Sequence, residues 1–128
     1  MFEIIINQLP DTRVRDRLIE ISKLPDSATI NDVSKLGNNG YVVNSVPFAI
    51  YSATKILKMG MSEMFREIIQ TGGDTDTNSS IAGQIAGTLL GIDNVPKELI
   101  GRIKEIREYR WIKEIIDKTK IKIDENYR

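Results

Sequence analysis

Apolar residues in this chain recur three and four positions apart between stops of Gly and Pro, and nowhere alternate with polar ones over a strand's length. That pattern predicts helices throughout. Pro10-Asp11-Thr12 reads as a helix start, with Val14, Leu18 and Ile21 on one face and Leu24-Pro25-Asp26 as the stop. Thr29 followed by Asp32 is a capping box with Asp in place of the usual Glu, opening a short helix that stops at Gly37. Gly37-Asn38-Asn39-Gly40 is a turn signal, read as a loop between helices whose asparagines tolerate left-handed backbone. The next helix should carry Val46, Ile50, Ala53 and Leu57 on one face, with Pro47 near its start, and end near Gly60. Ser62 is expected to cap a helix bearing Phe65, Ile68 and Ile69 that stops at Gly72-Gly73.

The helix that follows, about Asp76 to Leu90, is rich in small residues at Ala82, Gly83, Ala86 and Gly87. Glycine inside a helix costs roughly 1 kcal/mol relative to alanine, so two of them imply that another helix or a ligand approaches the backbone closely. Gly91 is placed to cap its end. Pro96 then opens one last long helix with Leu99, Ile103, Ile106, Trp111 and Ile115 inward, and the charged tail from Lys118 to Arg128 is expected to fray. The expected fold class is all-α, a compact orthogonal helical bundle formed by residues 1–128 as a single helical domain.

Composition narrows the chemistry. The 128 residues include no cysteine and no histidine, which removes disulfides, thiol nucleophiles, Cys/His zinc sites and Ser-His-Asp triads. Chemistry here must rest on carboxylates, hydroxyls, amides and a hard cation such as Mg²⁺, Mn²⁺ or Ca²⁺. Eighteen basic and 18 acidic residues balance to zero, and acidic residues interleave the basic ones from Lys97 to Arg128. No nucleic-acid partner is expected from such a balance. Met1-Phe2-Glu3 lacks a basic leader region and Ile4-Ile5-Ile6 is too short to span a bilayer, so the expectation is a cytoplasmic protein with no membrane partner.

Gly72-Gly73-Asp74-Thr75-Asp76-Thr77 is the segment best suited to that chemistry. Two glycines let the backbone turn sharply. In an extended loop, residues two apart point the same way, so Asp74 and Asp76 can face one point. The dipole of the following helix favours their negative charge, and a divalent cation between them relieves their repulsion, with the Thr77 hydroxyl adding an oxygen. The alternative use of Asp74, Asp76 or Thr77 is to cap the helix, and the two uses can coexist.

The run from Gly72 through Asn78-Ser79-Ser80-Ile81-Ala82-Gly83-Gln84-Ile85-Ala86-Gly87, followed by Gly91 and Pro96, resembles the C-terminal motif of the ADP-ribosylglycohydrolases. Gly37-Asn38-Asn39-Gly40-Tyr41-Val42-Val43 is similar to that family's Gly-x-x-Gly-Tyr-Val loop, and the likeness is clearest over residues 36–100. The resemblance implies that Asp74, Asp76 and Thr77 bind a pair of Mg²⁺ or Mn²⁺ ions beside the distal ribose of ADP-ribose. It further implies that Gly40 and Tyr41 contact the adenosine and diphosphate portion. For Tyr41 a half-buried core position is the alternative. For Asn38 and Asn39 a plain turn role is expected. The implied activity is metal-dependent hydrolysis of the bond linking ADP-ribose to a protein side chain, with ADP-ribose or an ADP-ribosylated protein as partner.

The family's other half-site, a Thr/Ser-Asp-Asp motif with an acidic residue acting on the water or leaving group, has no counterpart, since no Asp-Asp pair occurs in the sequence. Asn44 also stands where some members carry an acidic residue. No catalytic residue is therefore assigned within this chain. The expectation is weak metal binding, an uncovered apolar face, and completion by a second copy or a complementary chain. A non-catalytic ADP-ribose or metal-binding module and a helical interaction domain are the alternative uses.

Overall fold

A computed structural model describes residues Phe2 to Asn126. Its elements, in order, are α1 (Phe2–Gln8), α2 (Arg13–Ser22), α3 (Ile30–Ser34), α4 (Val42–Thr54), α5 (Ile56–Met59), α6 (Met61–Gln70) and α7 (Thr75–Leu90). A 3-10 turn (Ile92–Asn94), α8 (Lys97–Glu105) and α9 (Tyr109–Asn126) follow. Among the described residues every regular element is helical, as the apolar spacing predicts. The chain divides into two units, one running up to Asn94 and the other from Val95 onward.

In the first unit α4 is the central element. It buries Ser45, Pro47, Phe48, Ala49, Tyr51, Ser52 and Ala53 and packs against α2, α3, α6 and α7. A helix apolar on most of its circumference is a core helix rather than a surface one. Phe48, Leu18, Ile30, Ile56, Met64 and Ile68 are fully enclosed around it, each contributing about 1.5–3 kcal/mol by leaving water. Local signals set the flanking helices. Thr12 caps α2 by accepting from the Arg15 N–H at 3.3 Å. Thr29 and Asp32 form the expected reciprocal box at α3, with bonds of 3.1 and 3.0 Å. Gly83 lets the Phe65 ring of α6 approach α7, since a Cβ there would lie 3.0 Å from Phe65 Cζ. The glycine-rich face of α7 therefore serves helix packing.

Several local expectations are corrected. Pro47 lies inside α4, which begins at Val42 and not next to the proline. The helix continues through it, its burial against neighbours outweighing one lost backbone bond. The stretch to Gly60 is two helices rather than one: the chain tightens at Lys55, whose N–H bonds Ser52 O at 3.1 Å. That break rotates the following turn, burying Ile56 and leaving Leu57 74% exposed. Ser62 does not cap α6; Gly60, at φ +78°, takes the cap position and Ser62 lies within the helix.

In the second unit the predicted single helix is two, because Ile106 takes extended backbone (φ −71°, ψ 144°). Ile103, Ile106, Trp111 and Ile115 are exposed instead of inward, and Leu99 is half-buried. Two helices offer each other one narrow face, too little to enclose that many large side chains. Helix α9 runs through Lys118 to Asn126 in place of an early fray, aided by Lys113–Asp117 and Arg110–Glu114 pairs at 2.5 and 3.7 Å. The end of the expected fraying tail, Tyr127 and Arg128, lies outside the described residues. Among the described residues no helix is long and apolar enough to cross a membrane.

Candidate metal and nucleotide site

Packing of α4 on α7 brings their N-terminal loops together, although more than thirty residues separate them in sequence. The Asp74 N–H donates to Asn38 O at 3.0 Å. Asn38 returns the contact through its side chain, donating from Nδ2 to Gly72 O at 2.9 Å, Thr71 Oγ1 at 3.2 Å and Thr71 O at 3.3 Å. From inside α7, the fully buried Asn78 donates its Nδ2 to Asn38 O at 2.6 Å. Five residues from two segments thus form one hydrogen-bonded clasp. The close fit demands glycine at 73, where φ is +76° and a Cβ would stand 2.7 Å from Asn38 O.

Asp74 occupies the N-cap position of α7, yet its side chain makes no capping bond. Asp76 and Thr77 follow in the first helical turn rather than in the extended loop expected from sequence. The convergence of the acids comes from helix geometry instead: the cap and first turn share one end of the helix, and Asp74 and Asp76 are neighbours there. A hydrogen bond from the Asp74 carboxyl, then those from the N–H groups of Thr77 and Asp76, hold the Asp76 carboxyl below the usual carboxylate range. A helix N-terminus favours such charge.

These donors fit part of a hard divalent cation's shell. They are oxygen-only, the Asp74 carboxylate is uncommitted to capping, and no Lys or Arg forms a salt bridge to either acid among the described residues. They are not a whole shell, since among the described residues no group of three His, Cys, Asp or Glu comes together.

The Gly37–Tyr41 loop forms the neighbouring wall. Asn39 Oδ1 accepts from the Tyr41 N–H at 3.1 Å and from Asn44 Nδ2 at 3.0 Å. Neither Asn38 nor Asn39 takes left-handed backbone; the positive φ falls on Gly37, at +128°. The asparagines serve through their amides, which is more than the turn role read from sequence. Tyr41 is 51% exposed, which removes its reading as a core residue. It borders an open cavity of about 390 Å³ shared with Arg13, Asp16, Arg17 and Glu20 of α2. Gly40 is exposed and directly faces the Asp74 carboxylate.

Asn78 is the participant that sequence reading missed. A signal existed: asparagine is a poor helix former, so one inside a helix invites a search for the bond that keeps it there. Its Oδ1 is buried with no protein partner.

The chain is 37% identical over 93 residues to ADP-ribosylhydrolase ARH3 of Homo sapiens, covering 63% of this chain and 26% of that protein. It is 36% identical over 92 residues to ADP-ribosylhydrolase ARH3 of Danio rerio, covering 62% and 25%. It therefore spans about a quarter of the length of the curated relatives it matches. No solved structure is a significant match. The family model described as ADP-ribosylglycohydrolase matches residues 2–128. With its motif loops clasped together and that match extending over nearly its whole length, the chain belongs to the ADP-ribosylglycohydrolase family.

Proposed function

We propose that this chain supplies one part of the metal and ADP-ribose site of an ADP-ribosylglycohydrolase, whose reaction is hydrolysis of the glycosidic bond between ADP-ribose and a protein side chain. The observation that carries the reading is the clasp, which sets the Gly40-Tyr41 loop against the Asp74-Thr75-Asp76-Thr77 turn. In this reading Asp74, Asp76 and the Thr77 hydroxyl hold their share of a Mg²⁺ or Mn²⁺ pair. Bound there, such ions polarise the substrate and acidify a water. The chain's own residues orient: Tyr41 offers an exposed aromatic face for the adenosine, and glycine at 40 lets the ligand come close to backbone.

The remaining ligands, and the group acting on water or leaving group, come in this reading from residues beyond these 128 or from a second chain. A second reading is retention of ADP-ribose or metal without hydrolysis. Calorimetric titration of ADP-ribose in Mg²⁺ and then in EDTA tests the shared claim. Weak binding seen only with Mg²⁺ is expected. Equal heats in EDTA, or none in either, contradict it.

A further inference from the structure

We infer that Gly40 is a positioning residue for Asp74: the room left by its missing side chain lets the Asp74 carboxylate rest beside Asp76. The inference depends on the reading of Asp74, Asp76 and Thr77 as metal ligands, and concerns how this chain aims them.

Gly40 is not among the glycines with positive φ, so its backbone does not call for glycine. Nor does crowding by the fold. A Cβ built there would meet only the Asp74 side chain within 4 Å, at 2.5 Å from Oδ2 and 3.5 Å from Cγ. Gly73, across the clasp, is the contrasting case: positive φ and a collision with the Asn38 backbone both require glycine. What a methyl at 40 would displace is the carboxylate alone.

The displacement cannot be absorbed by spreading the loops. Asp74 N–H to Asn38 O (3.0 Å), Asn38 Nδ2 to Gly72 O (2.9 Å) and Asn78 Nδ2 to Asn38 O (2.6 Å) all tie Asn38, two residues before Gly40, to the segment that carries Asp74. The soft coordinates left are the Asp74 side-chain torsions, rotation about Cα–Cβ between staggered wells and the broader rotation about Cβ–Cγ, since the contact falls on Oδ2 and not on Cγ. Alanine at 40 therefore turns the carboxylate away from its place beside Asp76. Because position 40 is exposed and its backbone suits any residue, the same change leaves the fold intact and restricts the unfolded chain. Metal affinity and stability should separate.

The test is Gly40→Ala in the full chain, with Mn²⁺ alone as the probe. Free Mn²⁺ is followed by electron paramagnetic resonance, and melting is followed without metal. The expected result is a Kd for Mn²⁺ raised about 10-fold or more, the size of effect that residues supporting a ligand typically show, with Tm unchanged or slightly raised. An unchanged Kd for Mn²⁺ overturns the inference, and a Kd and Tm that worsen together show a structural role instead. The Asp74→Asn/Asp76→Asn variant separates the two levels. If it binds Mn²⁺ as wild type does, the metal reading has failed and this inference falls with it. If only Gly40→Ala binds as wild type does, the inference alone has failed.

Discussion

The units before and after position 94 are both helical, but different forces hold their helices. Up to Asn94, α4 is wrapped by its neighbours, with Phe48, Leu18, Ile30 and Met64 fully enclosed. From Val95 onward, Ile103, Ile106, Trp111 and Ile116 stay exposed. The side-chain bonds there run along each helix, as in Glu98–Arg102 at 3.3 Å and Lys113–Asp117 at 2.5 Å. Exposed pairs of that kind are screened by water and contribute little. Asp74, Asp76, Thr77, Gly40 and Tyr41 all belong to the first unit. A site whose loops must hold to a fraction of an ångström needs the rigidity of a dense core beneath it.

The contrast is open to direct attack. The largest expected effect is at its centre: Phe48→Ala should lose about 3–5 kcal/mol, the usual consequence of emptying a fully enclosed aromatic position. Trp111→Ala, removing a side chain that is 64% exposed, should stay within about 0.5 kcal/mol. Urea unfolding of both variants measures the difference, and similar losses would break the comparison.

A smaller effect sharpens it at the rim of the core. Thr29→Ala should cost about 1 kcal/mol by removing one half of the α3 capping box. The other half gives a pH signature. The bond from Lys35, then those from the Thr29 N–H and hydroxyl, hold the Asp32 carboxyl well below its ordinary range. A depressed folded-state value means the contribution is complete above the unfolded value near pH 4. It fades as acid carries the pH below that. Asp32→Asn should therefore be less stable than wild type at neutral pH, with the gap closing below about pH 4. Denaturation curves across that range check the sign.

What sequence alone could reveal follows the reach of each signal. The capping box at Thr29 and Asp32, the start at Thr12 and the stops at Gly60 and Gly91 are local, and each was legible. The breaks at Lys55 and Ile106 carry no proline or glycine, so spacing alone places Leu57 and Trp111 inward along helices that in fact end sooner. The Gly72–Thr77 segment stands out in the sequence as a candidate ligand set because its carboxylates and hydroxyls lie together in the chain. That Asp74 caps nothing, that Asn78 reaches Asn38, and that Gly40 faces Asp74 all depend on α4 packing against α7. The asparagine inside a helix hints that Asn78 makes a bond, but nothing local says with which residue. Tyr41 lay between: its type suggested stacking, but only its exposure separated that use from a place in the core.

The central claim is that Asp74, Asp76 and Thr77 hold a divalent cation, and thermal unfolding in rising Mg²⁺ or Mn²⁺ tests it most directly. A ligand bound only by the folded state stabilises by about 2.7 kcal/mol at a hundredfold excess over Kd. The account predicts that the wild-type melting temperature climbs with metal while that of Asp74→Asn/Asp76→Asn stays flat. Equal climbs in both proteins, or none in either, would contradict it.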